Sequence, residues 1–166
     1  AMNPLDLYHM PYTHSLLGTL VWAIIFVGVL VLARRDLMTA LIGGAVVLSH
    51  WLTDLLVHRP DLTIAGGENR YGFGLWNYPA AAIGVELALT FGAFLWYVSR
   101  TKGPVMPPWI LLALLLAMQS INWFGPEPAE ANLVFYLTAL FSFGLAAWVA
   151  HWVGTTRRHK DDRGLA

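Results

Sequence analysis

Long apolar runs alternate with short polar breaks along the whole chain. The runs lie at 14–33, 37–58, 79–99, 107–123 and 131–153. Each is close to the roughly twenty residues that an α-helix needs to cross a hydrocarbon core. The breaks use residues that stop helices or resist burial. Arg34-Arg35-Asp36 closes the first run and Arg59-Pro60 the second, where proline cannot continue the helical hydrogen bonding. Arg100 to Pro104 closes the third, and a Gly-Pro-Glu-Pro turn from Gly125 separates the last two. Residues 1–13 are too polar and proline-interrupted to span, and they read as an interfacial lead-in. The pattern predicts an all-α integral membrane protein, a single membrane domain over 1–166 built as a bundle of about five transmembrane helices. Within its tail, 154–166, the charged stretch Arg157 to Arg163 is expected to be frayed and solvated.

The longest break, 61–78, holds four glycines among mixed polar and aromatic residues. It reads as a loop at the interface that walls or lids a site, with Trp76 and Tyr78 as headgroup-level anchors. If the spans alternate, Arg34/Arg35, Arg100/Lys102 and Arg157/Arg158/Lys160 fall on one side. Basic loops stay cytoplasmic, so the N-terminus is expected outside and the C-terminus inside.

Composition sharpens this picture. Hydrophobic residues make up 57% of the chain and charged residues 12%, too apolar for a soluble domain of this size. Lysine plus arginine and aspartate plus glutamate number ten each, so the chain carries no basic excess that would suit nucleic acid. Cysteine is absent, which removes thiolate metal sites, disulfides and thiol nucleophiles and leaves His, Asp, Glu and Asn as ligands.

Against that background the second run is anomalous. His50, Asp54 and His58 recur every four residues and therefore share one helical face. A charged side chain at the bilayer centre costs on the order of 3 kcal/mol, so the stripe requires partners, a metal or a wet cavity. At 1.5 Å per residue, Asp54 lies about 6 Å and His50 about 12 Å deeper than His58, and Glu86 lies about 10 Å into the third run. His9 and His14 stand at the outer end of the first run, and Gln119 and Asn122 in the outer half of the fourth. Polar groups are thus expected to converge on the outer leaflet. Imidazoles with a carboxylate suit zinc or a similar divalent ion. The competing reading is interhelical hydrogen bonding, with the terminal histidines resting in wet headgroups. The depth and spacing of His50 and Asp54 favour the metal for that pair.

The segment His9-Met10-Pro11-Tyr12-Thr13-His14-Ser15-Leu16-Leu17-Gly18 resembles the HRxxTHSLL motif of the YdjM-like membrane-bound metal-dependent hydrolases. Ser49 to Asp54 resembles their SHLLLD motif, and Leu75 to Pro79 their LLWPF. The order is right, and the match covers the first half of the chain. Met10 stands where the family has arginine, a role left to Arg59 or Arg70, and the family's acidic element is reduced here to Asp6.

Joined to the polar stripe, the resemblance implies a divalent metal, zinc in the first instance, held by His9, His14, His50 and Asp54. A metal-dependent hydrolase of this kind would act on a lipid or lipid-linked ester or phosphoester at the outer face of the inner (plasma) membrane. Glu86 or His58 would move the proton, and Ser15 would orient His14 or donate to the developing oxyanion. One alternative is a non-enzymatic subunit that is structural or carries a metal or ion, with a homo-oligomer supplying the access that a single apolar inner half lacks. A third reading is a haem-binding electron-transfer subunit using two of His14, His50 and His58.

Overall fold

A computed structural model describes residues 10–33, 35–125 and 133–160. The elements are α1 (Pro11–His14), α2 (Leu16–Leu32), α3 (Leu37–Val57), α4 (Pro79–Arg100), β1 (Thr101–Lys102), α5 (Met106–Phe124), α6 (Leu133–Thr156) and β2 (Arg158–His159). Four helices, α3 to α6, are long and apolar enough to cross a membrane, and α2 is a shorter apolar helix. Large apolar side chains stand exposed along them, Trp96 at 65% and Phe141 at 70% among them. Water would penalise such a surface and lipid does not. The chain is an all-α membrane protein.

The first apolar run is interrupted where a single helix is expected. Pro11 opens a one-turn helix that ends at His14, and Ser15 adopts an extended conformation (φ −88°, ψ 151°) before α2 begins at Leu16. A hydroxyl that caps the next helix makes this break stable, because it satisfies an amide that a helix start leaves without an intrahelical partner. The 17 residues of α2 then span about 26 Å, a little short of a full hydrocarbon core.

Compact packing divides the chain into two units, with the boundary between Gly84 and Val85. In the first, α2 and α3 form a helical hairpin. Asp36 caps α3 by accepting from the Thr39 amide at 2.9 Å. Gly44 allows close packing, since a Cβ there would fall 2.5 Å from Val27 Cγ2. The long loop closes back on this hairpin through backbone hydrogen bonds. Leu16 N–H donates to Thr63 O at 3.1 Å and Leu17 N–H to Ile64 O at 2.8 Å, while Leu62 and Tyr71 exchange bonds of 3.1 and 2.8 Å. Leu62, fully buried, packs with Trp51, Met10, Leu16 and Leu55. The loop expected to wall a site thus lies against the hairpin, and Trp76 lies against the His58 ring, centroids 4.6 Å apart.

In the second unit, α5 packs on α6, and β1 pairs antiparallel with β2, Thr101 opposite His159. Arg158 and His159 are therefore held in a strand pair, against the expectation of fraying from Arg157 onward. Arg157 fixes it. Its guanidinium donates to Thr101 Oγ1 (2.8 Å), Thr101 O (3.0 Å), Gly103 O (3.1 Å) and Pro104 O (2.6 Å), and it lies 5.9 Å from the Tyr97 ring centroid. A planar fork of donors suits several carbonyls at once, which a lysine would not.

Candidate metal centre

The turn between α1 and α2 delivers the first candidate ligand, His14. Thr13 N–H and His14 N–H both donate to Met10 O, at 3.2 and 3.0 Å, closing the short helix that Pro11 opens. The Thr13 hydroxyl donates to Met10 O at 3.4 Å and meets His14 Nδ1 at 2.7 Å. In the tautomer whose Nδ1–H donates to the hydroxyl oxygen, the Nε2 lone pair of His14 is the one offered to a cation. Burial holds the His14 imidazole below the usual histidine range; the Asp54 carboxylate opposes that shift and the His50 and His58 rings add to it. A neutral ring is the form that coordinates a cation.

Ser15 has a different job from the one expected beside His14. Its hydroxyl donates to Pro11 O at 2.6 Å and accepts from Gly18 N–H at 3.0 Å, so it is the cap that bends the chain, and Thr13 orients the histidine. Thr19 Oγ1 reaches back to Thr13 O (3.1 Å) and Ser15 O (2.9 Å), and Trp22 Nε1 to Tyr12 O (3.1 Å). Gly18 is required because a Cβ would stand 2.6 Å from Tyr12 O. Thr13, Gly18 and Thr19 carry no chemistry that a sequence reading would select, and their role emerges only from the turn.

The other two candidate ligands come from α3. His50 and Asp54, one turn apart, meet at 3.2 Å between Nε2 and Oδ2. The His14 and His50 rings lie 5.3 Å apart at 57°. One ligand atom from each of His14, His50 and Asp54 falls within 4.8 Å of the others. Asp54 Oδ2 is buried and has no hydrogen-bond partner among the described residues, although His50 Nε2 is close: proximity is present and hydrogen-bond geometry is not. Two ligands at about 2.0–2.1 Å from a tetrahedral ion stand about 3.3 Å apart, so the His50–Asp54 spacing fits a shared cation. The donor chemistry of the three residues and the His50–Asp54 spacing suit a divalent metal, with a ligand atom of His14 within 4.8 Å of theirs.

His58 does not belong to that triad. It caps the C-terminus of α3, is buried, and sets Nδ1 3.3 Å from Asp61 Oδ2, with Arg59 Nε 3.7 Å from the same oxygen. The returning loop secures it: Gly74 N–H donates to His58 O at 2.7 Å and Phe73 N–H to Leu55 O at 2.8 Å, taking up carbonyls at the helix end. Gly72 permits the approach, since a Cβ there would stand 2.2 Å from Arg59 O. Asp61 is a buried site residue that sequence reasoning passed over as part of a polar loop. His9 lies outside the described residues. Glu86 belongs to the second unit, where its carboxyl accepts from Gln119 Nε2 and, at 2.7 Å, from Trp123 Nε1. Comparison of the chain with protein families, with curated proteins and with solved structures finds no match.

Proposed function

We propose that the chain is a membrane-embedded, metal-dependent hydrolase whose ion is held by His14, His50 and Asp54, of the kind that its Thr-His-Ser and His-x-x-x-Asp motifs resemble. The convergence of three ligand atoms within 4.8 Å, drawn from two segments more than thirty residues apart, is the observation that carries this reading. Zinc is the first choice of ion for imidazoles with one carboxylate and no thiolate. Bound there, such an ion polarises an ester or phosphoryl oxygen and lowers the pKa of its water to about 7.

The protein's own groups divide the remaining work. Thr13 holds His14 in the tautomer that offers Nε2, the role an outer hydrogen bond plays for a ligating histidine. His58, with Nδ1 turned to Asp61, has Nε2 left to take a proton from attacking water and return it to the leaving group. The buried setting of His58 and Asp61 favours one fixed ring orientation. The apolar helices make a lipid or lipid-linked ester or phosphoester the natural substrate class, and the basic loops favour a site on the outer face of the plasma membrane.

The test is hydrolysis in reconstituted vesicles, offered lipid esters and lipid phosphoesters in parallel. Wild type is expected to turn over one class in the presence of zinc or manganese, and the His50→Ala, Asp54→Ala double variant to lose at least a thousandfold, as expected when metal chemistry is removed. Full activity in the double variant would refute the assignment.

A further inference from the structure

The paired strands of the second unit carry a cluster of cations. β1 follows α4 directly and β2 follows α6 after Arg157, so their pairing joins the ends of two membrane-length helices. The register sets Lys102 opposite Arg158, and Lys160 N–H donates to Arg100 O at 2.8 Å, which carries the pairing one step further. Side chains alternate across a strand. Lys102 and Arg158 therefore share one face of the ladder, Arg100 and Lys160 follow at the same parity, and Thr101 and His159 take the other face. All four cations are exposed.

Like charges set directly opposite one another repel, and Lys102 and Arg158 are such a pair. Among the described residues no carboxylate forms an ion pair with any of the four cations. The Arg157 guanidinium, donating to Thr101, Gly103 and Pro104, ties the start of β2 to β1 and so keeps the repelling side chains together. Depth is marked independently. Trp96, Trp109 and Trp152, all exposed, lie within about 6 Å of the helix ends on this side of the second unit. Indole rings collect at the headgroup level of a bilayer, which sets the four cations at that level or just beyond it.

We propose that this face of the ladder binds the phosphates of anionic phospholipids, whose charge relieves the repulsion between Lys102 and Arg158. The whole chain has ten cations and ten acids, so the attraction comes from where the charges are placed and not from their sum. The bilayer is the source of the anion. The tryptophans set the cations at headgroup depth, where lipid phosphate is concentrated and dissolved phosphate is not. The surface lies wholly in the second unit, and its role is independent of the hydrolase reading.

Native mass spectrometry of the detergent-purified full chain tests this, with dioleoyl phosphatidylglycerol and dioleoyl phosphatidylcholine as probes. The two share acyl chains and differ in net charge. A cation near the membrane surface is worth about fivefold in affinity for anionic lipid, so the Lys102→Gln, Arg158→Gln double variant is expected to lower the wild-type preference for phosphatidylglycerol about twenty-five-fold. Both positions are exposed, and the double variant should melt no lower than wild type in neutral detergent, because a repulsion has been removed. Lys102→Glu, which turns the repelling pair into an attracting one, is expected to melt higher and to lose the lipid preference. Equal retention of the two lipids by wild type, or a preference that survives the double variant, would overturn the proposal. Displacement of phosphatidylglycerol by an equal concentration of inorganic phosphate would also overturn it, by showing a site for any anion. A preference that emerges only in Asp161→Asn, Asp162→Asn would assign the cations to those two acids and overturn it as well.

Discussion

The two units handle buried polar groups in opposite ways. In the second, polar side chains are matched to one another: the Glu86 carboxyl takes donors from Gln119 and Trp123, and the Arg157 guanidinium is spent on Thr101, Gly103 and Pro104. In the first, Asp54 Oδ2 and Trp51 Nε1 are buried without a hydrogen-bond partner among the described residues, and they lie within one helical turn of each other. An unmatched buried polar atom is expensive, so two of them on one stretch of helix mark a place where a ligand would recover energy. Matched groups build scaffold. By this criterion the first unit holds the candidate metal site that we propose as reactive, and the second holds side-chain ties.

That contrast can be broken at several points. The largest structural effect is expected at Gly72, where a new Cβ would meet the Arg59 and His58 carbonyl oxygens at 2.2 and 2.5 Å. Gly72→Ala is expected to cost about 1–3 kcal/mol, the usual range for overpacking, and to loosen the loop over the site. Thermal unfolding in detergent together with amide exchange across 59–74 measures both effects. An unchanged melt with native protection would show that the loop does not depend on this contact.

Arg157→Met comes next. It leaves the carbonyls of Thr101, Gly103 and Pro104 without the guanidinium, and about 2 kcal/mol of destabilisation is expected from hydrogen bonds to a charged group that is only half-buried. Metal content should stay at the wild-type level, because the clamp lies entirely within the second unit. Metal loss in this variant would show that the two units are not independent in the way the comparison requires.

Glu86→Leu is expected to have a smaller effect, about 1 kcal/mol, in line with measured interhelical hydrogen bonds in membrane proteins. If Glu86 serves as a scaffold tie, hydrolysis per metal-loaded molecule is unaffected; a thousandfold fall in turnover at normal stability would return Glu86 to the reaction.

The smallest effect concerns Asp36. The Thr39 hydroxyl and amide hold its carboxyl below the usual aspartate range. A lowered native pKa stabilises the fold above the unfolded-state pKa, and that contribution fades as pH falls through the native value. The melting temperature should therefore fall slightly on acidification below about pH 4, the ordinary aspartate pKa. In Asp36→Asn, which keeps a capping oxygen, this component of the fall should vanish. A pH profile identical to wild type would remove the cap from the account.

Much of this was legible in the chain itself. The apolar runs place α3, α4, α5 and α6 to within a few residues at each end, because lipid demands long uninterrupted burial and charge or proline ends it. The His50–Asp54 pair follows from helical periodicity alone. What escaped depends on contacts between distant segments. The break at Ser15 lies at the polar start of the first run, where hydropathy sets no helix boundary, and Ser15 and Leu16 pair there with Thr63. Arg157 reads as one of several tail charges until β1 and β2 meet. Thr13 and Asp61 gain their roles only when His14 and His58 are folded beside them, and hydropathy carries no information about that second tier of partners.

Elemental analysis of the detergent-purified protein tests the central claim most directly. Wild type should carry about one zinc, manganese or iron per chain, as a single three-ligand site requires. His14→Ala, His50→Ala and Asp54→Ala should each lose it, while Glu86→Leu and Arg157→Met keep it. Absence of metal from wild type, even after zinc and manganese are offered to the purified chain, would contradict the account and reduce His14, His50 and Asp54 to a polar contact between helices.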